Sequence, residues 1–375
     1  VNVSSARGQS HDPIASFSPL ALTQALPFLP LSQSKVDYRV DSRSQPDLID
    51  TLLKKSSTRV FLVKDGLLAV PRGQGEPVDY ESVHMRLAYF PGEYLSETVT
   101  DNPRINAYFL GSDPIPSGQA HDYVALDITR AHEDSTPPDA AHVGADDAFG
   151  PDHNSEDDLI NADALQRAER QLDWVGLRGF APHCSALEAG LATSASTLCM
   201  WHISQRFCPR CGAATSCAHA GWAQRCSNPQ DGQRLLFPRI EPAAITSIVD
   251  ASNRLLIQRN AAWSENFYSV SAGFVEAGEN LEHAARREAF EETGIRVGEL
   301  KYLGSQPWPF PSSLMVAFKG QALSSQIDVD GDETLDAMWV SKNEYMTSLT
   351  NGSILVPSKA TIARYMIEEW LGYTL

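Results

Sequence analysis

Apolar residues recur at intervals of three and four in some stretches and gather in short runs in others, and the two patterns divide the chain. Between about residues 36 and 130, apolar runs at 60–63, 67–70, 86–90, 107–110 and 123–126 are bounded by turn residues. They predict strands of a modest β-rich or α+β unit. Residues 159–172 and 184–207 carry apolar side chains at helical spacing. Past Pro242 the pattern predicts strands at 243–248 and 254–257, separated by a turn at 250–253. Residues 268–270 lead into the next loop, further strands are predicted at 314–318 and 337–340, and a closing helix over 358–371. Residues 1 to about 35 show no sustained period, and 132–158 hold nine acids with Pro, Gly and Ser but almost no large apolar residue. A segment of that kind cannot bury enough surface to offset chain entropy, so a disordered acidic insertion over about 131–158 is expected.

One helix between two such strands carries chemistry. Gly273 and Gly278 punctuate a loop, Asn280 is placed to cap the helix, and Leu281, Ala284, Ala285 and Ala289 supply a narrow apolar stripe. Gly294 is placed to end it in a left-handed turn. Glu288, Glu291 and Glu292 are spaced by three and four, which puts their carboxylates on one face. Like charges so placed either form a solvated acidic face or share a cation, and hard oxygen ligands select Mg²⁺ or Mn²⁺.

Composition narrows the setting. The net charge is −17, of which residues 200–375 hold −4 (15 basic, 19 acidic) and the first 199 the remaining −13. An acidic chain is a poor general binder of nucleic-acid backbone, although a short RNA end can still enter a metal site. No apolar run approaches membrane-spanning length and the N-terminus does not read as a secretory signal, so a cytoplasmic protein with no membrane partner is expected. Of six cysteines (Cys184, Cys199, Cys208, Cys211, Cys217, Cys226), four fall within 19 residues and begin with Cys-x-x-Cys. In this context they read as a metal site before disulfides.

Gly273, Glu279, Arg287-Glu288, Glu291-Glu292, Gly294 and Ile295 stand at every fixed position of the Nudix box, and the segment resembles a Nudix hydrolase. Ala289 departs from the family, which has a larger aliphatic there. The resemblance implies an α/β/α sandwich at residues 239–375 that binds divalent metal and cleaves a diphosphate. Cys208-Pro-Arg-Cys211-Gly resembles the first knuckle of a zinc ribbon, over 200–238, with Cys226 opening the second. A cysteine just beyond Cys226 is absent, leaving Cys217 or His219 to complete a structural Zn²⁺ site with Cys208, Cys211 and Cys226; Cys217 is the preferred expectation.

The order of knuckle, Phe237-Pro238-Arg239, box and then Gln306-Pro307-Trp308-Pro309-Phe310-Pro311-Ser312-Ser313 resembles the NADH pyrophosphatase (NAD-capped RNA hydrolase) branch. The resemblance covers about residues 200–375 well and the first part, residues 1–180, only by position. It implies two or three Mg²⁺ or Mn²⁺ ions on Glu288, Glu291, Glu292, Glu333 and the Ala272 carbonyl, with Asp336 competing with Glu333. It implies Glu291 or Glu292 as base and an Arg287–Glu279 pair bracing the loop. Residues Gln306 to Ser313, Ala363 and Arg178 would contact the dinucleotide, and Phe237 and Phe274 would sandwich a ring. The expected reaction takes NADH or NAD⁺ to nicotinamide mononucleotide and AMP, or removes the NAD cap from RNA, in a homodimer. The alternatives are another dinucleotide such as ADP-ribose, or a Nudix-based ligand-sensing regulator, against which the intact carboxylates argue.

Overall fold

Strands β1 (Arg59–Lys64) and β2 (Leu67–Pro71) are joined by Asp65-Gly66, both at positive φ, the two-residue turn whose twist suits a hairpin. The computed structural model describes residues 20–75, 83–114, 120–132 and 164–375. Around the hairpin, β3 (Phe90–Pro91), β4 (Asn106–Ser112), β5 (Asp122–Asp127) and β6 (Leu172–Val175) complete a six-stranded sheet. Its order is β4-β5-β1-β2-β6 with β3 beside β1, and β1 runs parallel to β5. Phe61 and Val63 face the long helix Ala186–Ser204, while Val60 and Leu62 face helices Leu48–Leu53, Gly92–Asp101 and Ala164–Glu169. Both faces are therefore covered, which is why these strands read as continuous apolar runs.

Two expectations shift here. Of residues 86–90 only Phe90 joins the sheet, and the helix expected over 159–172 ends at Glu169, with Leu172 opening β6. The free edge of β2 recruits residues 172–175 by pairing, and that tertiary gain outweighs their local helical spacing. Residues 159–163, and the acidic stretch from 133 onward, lie outside the described residues.

A three-stranded sheet follows: β7 (Thr215–Ala218), β8 (Ala223–Cys226) and β9 (Leu235–Leu236). It docks on the first sheet through Trp222 Nε1, which donates to the Phe109 carbonyl at 2.6 Å, and through Gly221, where a Cβ would strike the Tyr108 ring at 2.5 Å.

The C-terminal sheet contains β10 (Glu241–Val249), β11 (Leu255–Asn260), β12 (Ser271–Phe274), β13 (Val297–Trp308), β14 (Ser313–Ala322) and β15 (Thr334–Val340). Its order is β13-β14-β10-β11-β15, with β12 beside β10 and a parallel β10–β14 pair at its centre. Helix Leu281–Thr293 packs on one face, and helices Lys342–Thr350 and Ile362–Leu371 on the other, so the layers are α/β/α. Residues 20–34, the described part of the stretch that showed no period, are an integral part of this packing. Leu20 and Leu29 sit in the C-terminal core, Leu31 in the N-terminal one, and Leu26 N–H donates to the Leu303 carbonyl at 2.7 Å. No helix among the described residues is long and apolar enough to cross a membrane.

Candidate active site and ribbon metal centre

The carboxylate helix is set by its ends and by its small face. Asn280 Oδ1 accepts the His283 N–H at 2.8 Å, and Gly294, at φ 71°, takes the left-handed conformation that closes the last turn. Ala284, Ala285 and Ala289 are fully buried against the sheet, Ala289 in a pocket walled by Ile248, Leu256, Ile295 and Val297. These small side chains let the helix approach closely, and Glu288 consequently lies on the backbone of β12. A Cβ on Gly273 would stand 1.9 Å from the Glu288 carboxyl carbon, so any larger residue there has to push that carboxylate off the strand.

The acidic groups differ by environment. Arg287 is the hub: its Nε and Nη2 donate to Glu279 at 3.0 and 2.8 Å, its Nη1 to Glu288 at 2.9 Å and Glu291 at 2.8 Å, and Nη2 also to the Phe274 carbonyl at 2.9 Å. Glu279 also pairs with His283, and the Arg287 guanidinium first of all holds its carboxyl down at about 2. Glu292 is the opposite case. It is buried beneath β12, takes the Ser271 hydroxyl on Oε2 at 2.6 Å, and burial, with the charges of Glu288 and Glu333, pushes it up to about 7. Burial raises Glu288 as well, against Arg287 and with the charges of Glu291 and Glu333. Glu333 is exposed at the mouth of this group, and its charge is felt by both Glu288 and Glu292. Asp336, the competing carboxylate, is spent on the Tyr268 hydroxyl at 2.6 Å. Glu291 is the most solvent-facing of the box carboxylates, with 56% of its side chain exposed.

The donor set suits a hard divalent cation: oxygen ligands only, crowded like charges, and one of them cradled on a glycine. The carboxylates stand wider apart than the tight cluster found in the ribbon, with the Arg287 guanidinium bridging Glu288 and Glu291.

A cavity of about 470 Å³ adjoins the β12 backbone at Ala272. Arg178, Trp263, Phe267, Trp308, Met315 and Ala363 are among its walls. The Arg178 guanidinium carbon lies 4.8 Å from the Trp308 ring centre and 4.1 Å from that of Phe310, and the two rings meet edge to face at 4.8 Å. The Gln306-to-Ser313 stretch is a hairpin, with Trp308 ending β13 opposite Ser313, rather than one extended segment.

Other expected contacts are placed elsewhere. Gln306 is fully buried, its amide spent on the Leu31 N–H at 3.3 Å and the Ala360 carbonyl at 2.8 Å, so it braces the hairpin from behind. Pro307 and Phe237 line a different cavity, of about 570 Å³, with Tyr38, Arg43, His219 and Trp222. Phe274 is exposed at the end of β12, and neither it nor Phe237 lines the Trp308 cavity, so within one chain they form no ring sandwich there. Pro309 is buried, Pro311 exposed and Ser312 partly so, and Ser313 is buried at the start of β14. Trp263 and Phe267, edge to face at 5.0 Å, were not legible in the sequence because they sit in an irregular loop with no period or motif.

In the ribbon, Cys208, Cys211, Cys226 and Asp231 present ligand atoms that all lie within 4.8 Å of one another. The expectation of Cys217 as the fourth member is corrected. It lies on β7 opposite Gln224, two residues along from the position that pairs with Cys226, about 7 Å of strand away. His219 turns instead to the cavity lined by Phe237. Three thiols and a carboxylate in a tetrahedron-sized cluster fit a structural Zn²⁺.

Set against known proteins, residues 239–357 match the model of the NUDIX domain and residues 203–235 that of the NADH pyrophosphatase zinc ribbon domain. The chain is 40% identical over 205 residues to the NAD-capped RNA hydrolase NudC of Mycobacterium bovis, covering 52% of this chain and 64% of that protein. It is 34% identical over 193 residues to the human NAD-capped RNA hydrolase NUDT12, covering 49% and 42% respectively. The aligned part thus spans just under two thirds of the mycobacterial relative and less than half of the human one. A Nudix hydrolase structure from Nitrosomonas europaea aligns over 45% of this chain and 94% of its own, at 21% identity and a TM-score of 0.36.

Proposed function

With a Nudix domain at residues 239–357 behind an NADH pyrophosphatase zinc ribbon at 203–235, we propose that the protein hydrolyses the diphosphate bond of NADH or NAD⁺. The products are nicotinamide mononucleotide, in the redox state of the substrate, and AMP; the same cut on an NAD-capped transcript leaves a 5′-monophosphate end. The observation that carries the proposal is the pairing of a carboxylate cluster with an aromatic, arginine-topped cavity on either side of the same strand, β12.

In this reading Glu288, Glu292 and Glu333, with the Ala272 carbonyl, hold Mg²⁺ or Mn²⁺. The bound cations supply charge neutralisation for the diphosphate and orient the attacking water. Glu291, which faces solvent from the same helix, accepts the proton of that water. Arg287 and Glu279 hold the loop and the helix in register, and the half-buried ion pair keeps Glu279 ionised at any working pH. Trp308 and Arg178, braced from behind by Phe310, grip a flat ring in the cavity, and Ala363 admits it by being small. Residues 309–313 shape the hairpin tip over the bound nucleotide.

We assign the protein to a homodimer as well. Phe237, Ile240 and Phe274 are each more than half exposed, surface that a second copy of the chain could cover. Metal titration of NADH turnover tests the reaction: activity should require Mg²⁺ or Mn²⁺ and vanish with EDTA, and metal-independent turnover would contradict it. Light scattering on the eluting protein tests the dimer, which a fully active monomer would rule out.

A further inference from the structure

The ribbon has lost the cysteine that a second Cys-x-x-Cys knuckle needs, since Cys226-Ser-Asn is followed by Pro229. We propose that Asp231 replaces it, making the ribbon a three-thiolate, one-carboxylate zinc site. The turn that follows Cys226 is built to bring it there. Asn228 Oδ1 accepts the Gln230 N–H at 2.9 Å, Pro229–Asp231 form a single 3-10 turn, and Gly232 at φ 67° reverses the chain. The result returns Asp231 toward the sulfurs five residues after Cys226. Cys208 Sγ donates to Asp231 Oδ2 at 3.4 Å, Cys211 Sγ and Cys226 Sγ are 3.5 Å apart, and the Asn228 N–H points at Cys226 Sγ at 3.4 Å.

Burial and charge agree with a ligand role. Only 4% of the Asp231 side chain is exposed, although it stands in a surface turn. Three thiolates and a carboxylate around Zn²⁺ leave two excess negative charges, and two arginines face them: Arg210 at 3.4 Å and Arg234 at 3.3 Å from the Asp231 carboxylate. A carboxylate oxygen is a harder ligand than a thiolate, so the site remains a zinc site but holds its ion less tightly than a four-thiolate ribbon. Its closure matters to the rest of the molecule because β9 begins at Leu235, just past the turn, and leads directly into Phe237 and then β10. The metal thereby fixes the strand that presents Phe237. This inference concerns the ribbon alone and stands whether or not NADH is the substrate.

The test reads metal, not turnover. Purified protein is assayed for zinc per chain, for the rate at which a chelator strips it, and for the charge-transfer absorption of the Co²⁺-substituted form. Wild type should carry one zinc and a Co²⁺ spectrum of tetrahedral three-thiolate type. Asp231→Ala should lose zinc to the chelator faster, by at least the roughly 10- to 100-fold that loss of an outer partner costs. Asp231→Cys should fold, retain zinc more tightly than wild type, and gain sulfur-to-cobalt intensity in step with its added thiolate. Cys217→Ser should change none of these. Wild-type zinc retention and an unaltered cobalt spectrum in Asp231→Ala, a zinc-free wild type, or loss of zinc in Cys217→Ser would each overturn the assignment.

Discussion

In the proposed reading, Glu292 and Gly273 set the terms of metal binding at the box. Burial pushes the Glu292 carboxyl up to about 7, well above the roughly 4.3 of an exposed glutamate. Its ionisation in the metal-free protein is therefore opposed. The stability it contributes is full below about pH 4.3 and is lost as pH rises toward and through 7. A cation demands the ionised form, so binding must expel a proton below neutrality. The affinity for Mn²⁺ should accordingly climb as pH is raised from about 5.5 to 7 and flatten beyond, as read by calorimetric titration. A pH-independent affinity would mean that Glu292 is not a ligand. At Gly273 the steric case is independent of charge. The Gly273→Ala methyl would displace the Glu288 carboxylate from β12, and metal affinity should fall about 10- to 100-fold. An alanine variant with unchanged Mn²⁺ binding would show that Glu288 binds from some other position.

Elements differ in how much of their form is local. The box helix was legible because its cap, its apolar stripe and its terminal glycine are all written within a few residues, and each does what its residue type dictates. Asn280→Ala should remove the cap and cost about 1 kcal/mol in urea denaturation, with turnover falling only as far as the helix frays. A loss well below that would mean the helix is held by its buried alanines alone. β13 was not legible: its burial is irregular, glycine, proline and charged residues interrupt it, and its pairing with β14 shifts register twice. The same limit applies to residues 172–175, where helical spacing yielded to an open sheet edge, and to residues 20–34, whose leucines have no period because they fill two different cores. Cys217 misled for a related reason. It lacked ribbon spacing and was preferred as the remaining cysteine of the cluster, but the hairpin register carries it away, while a turn of Asn, Pro and Gly brings in a residue of another type.

At the scale of the whole molecule, the two halves meet at the Trp308 cavity. Arg178 comes from the short helix that follows β6, in the N-terminal half, and reaches across to Trp308 and Phe310 of the C-terminal sheet. In the proposed reading, that gives the first half a part in recognition, beyond support. Arg178→Ala should raise KM for NADH about tenfold and leave kcat within a few-fold, since it removes a wall of the cavity and the group that holds the Trp308 ring in place, and touches no reacting atom. An equal fall in kcat would point to a role in the transition state instead. The acid–metal end of the site and the aromatic end make separate claims, one about the bond broken and one about the molecule that carries it. A single product analysis tests both together: purified protein with Mg²⁺ or Mn²⁺ is offered NADH, NAD⁺ and ADP-ribose in parallel, with Glu292→Gln as control. AMP and reduced nicotinamide mononucleotide from NADH, formed faster than any product of ADP-ribose and lost in the variant, is the result expected. NADH left intact while ADP-ribose is consumed would contradict the assignment of the Trp308 cavity to a nicotinamide dinucleotide.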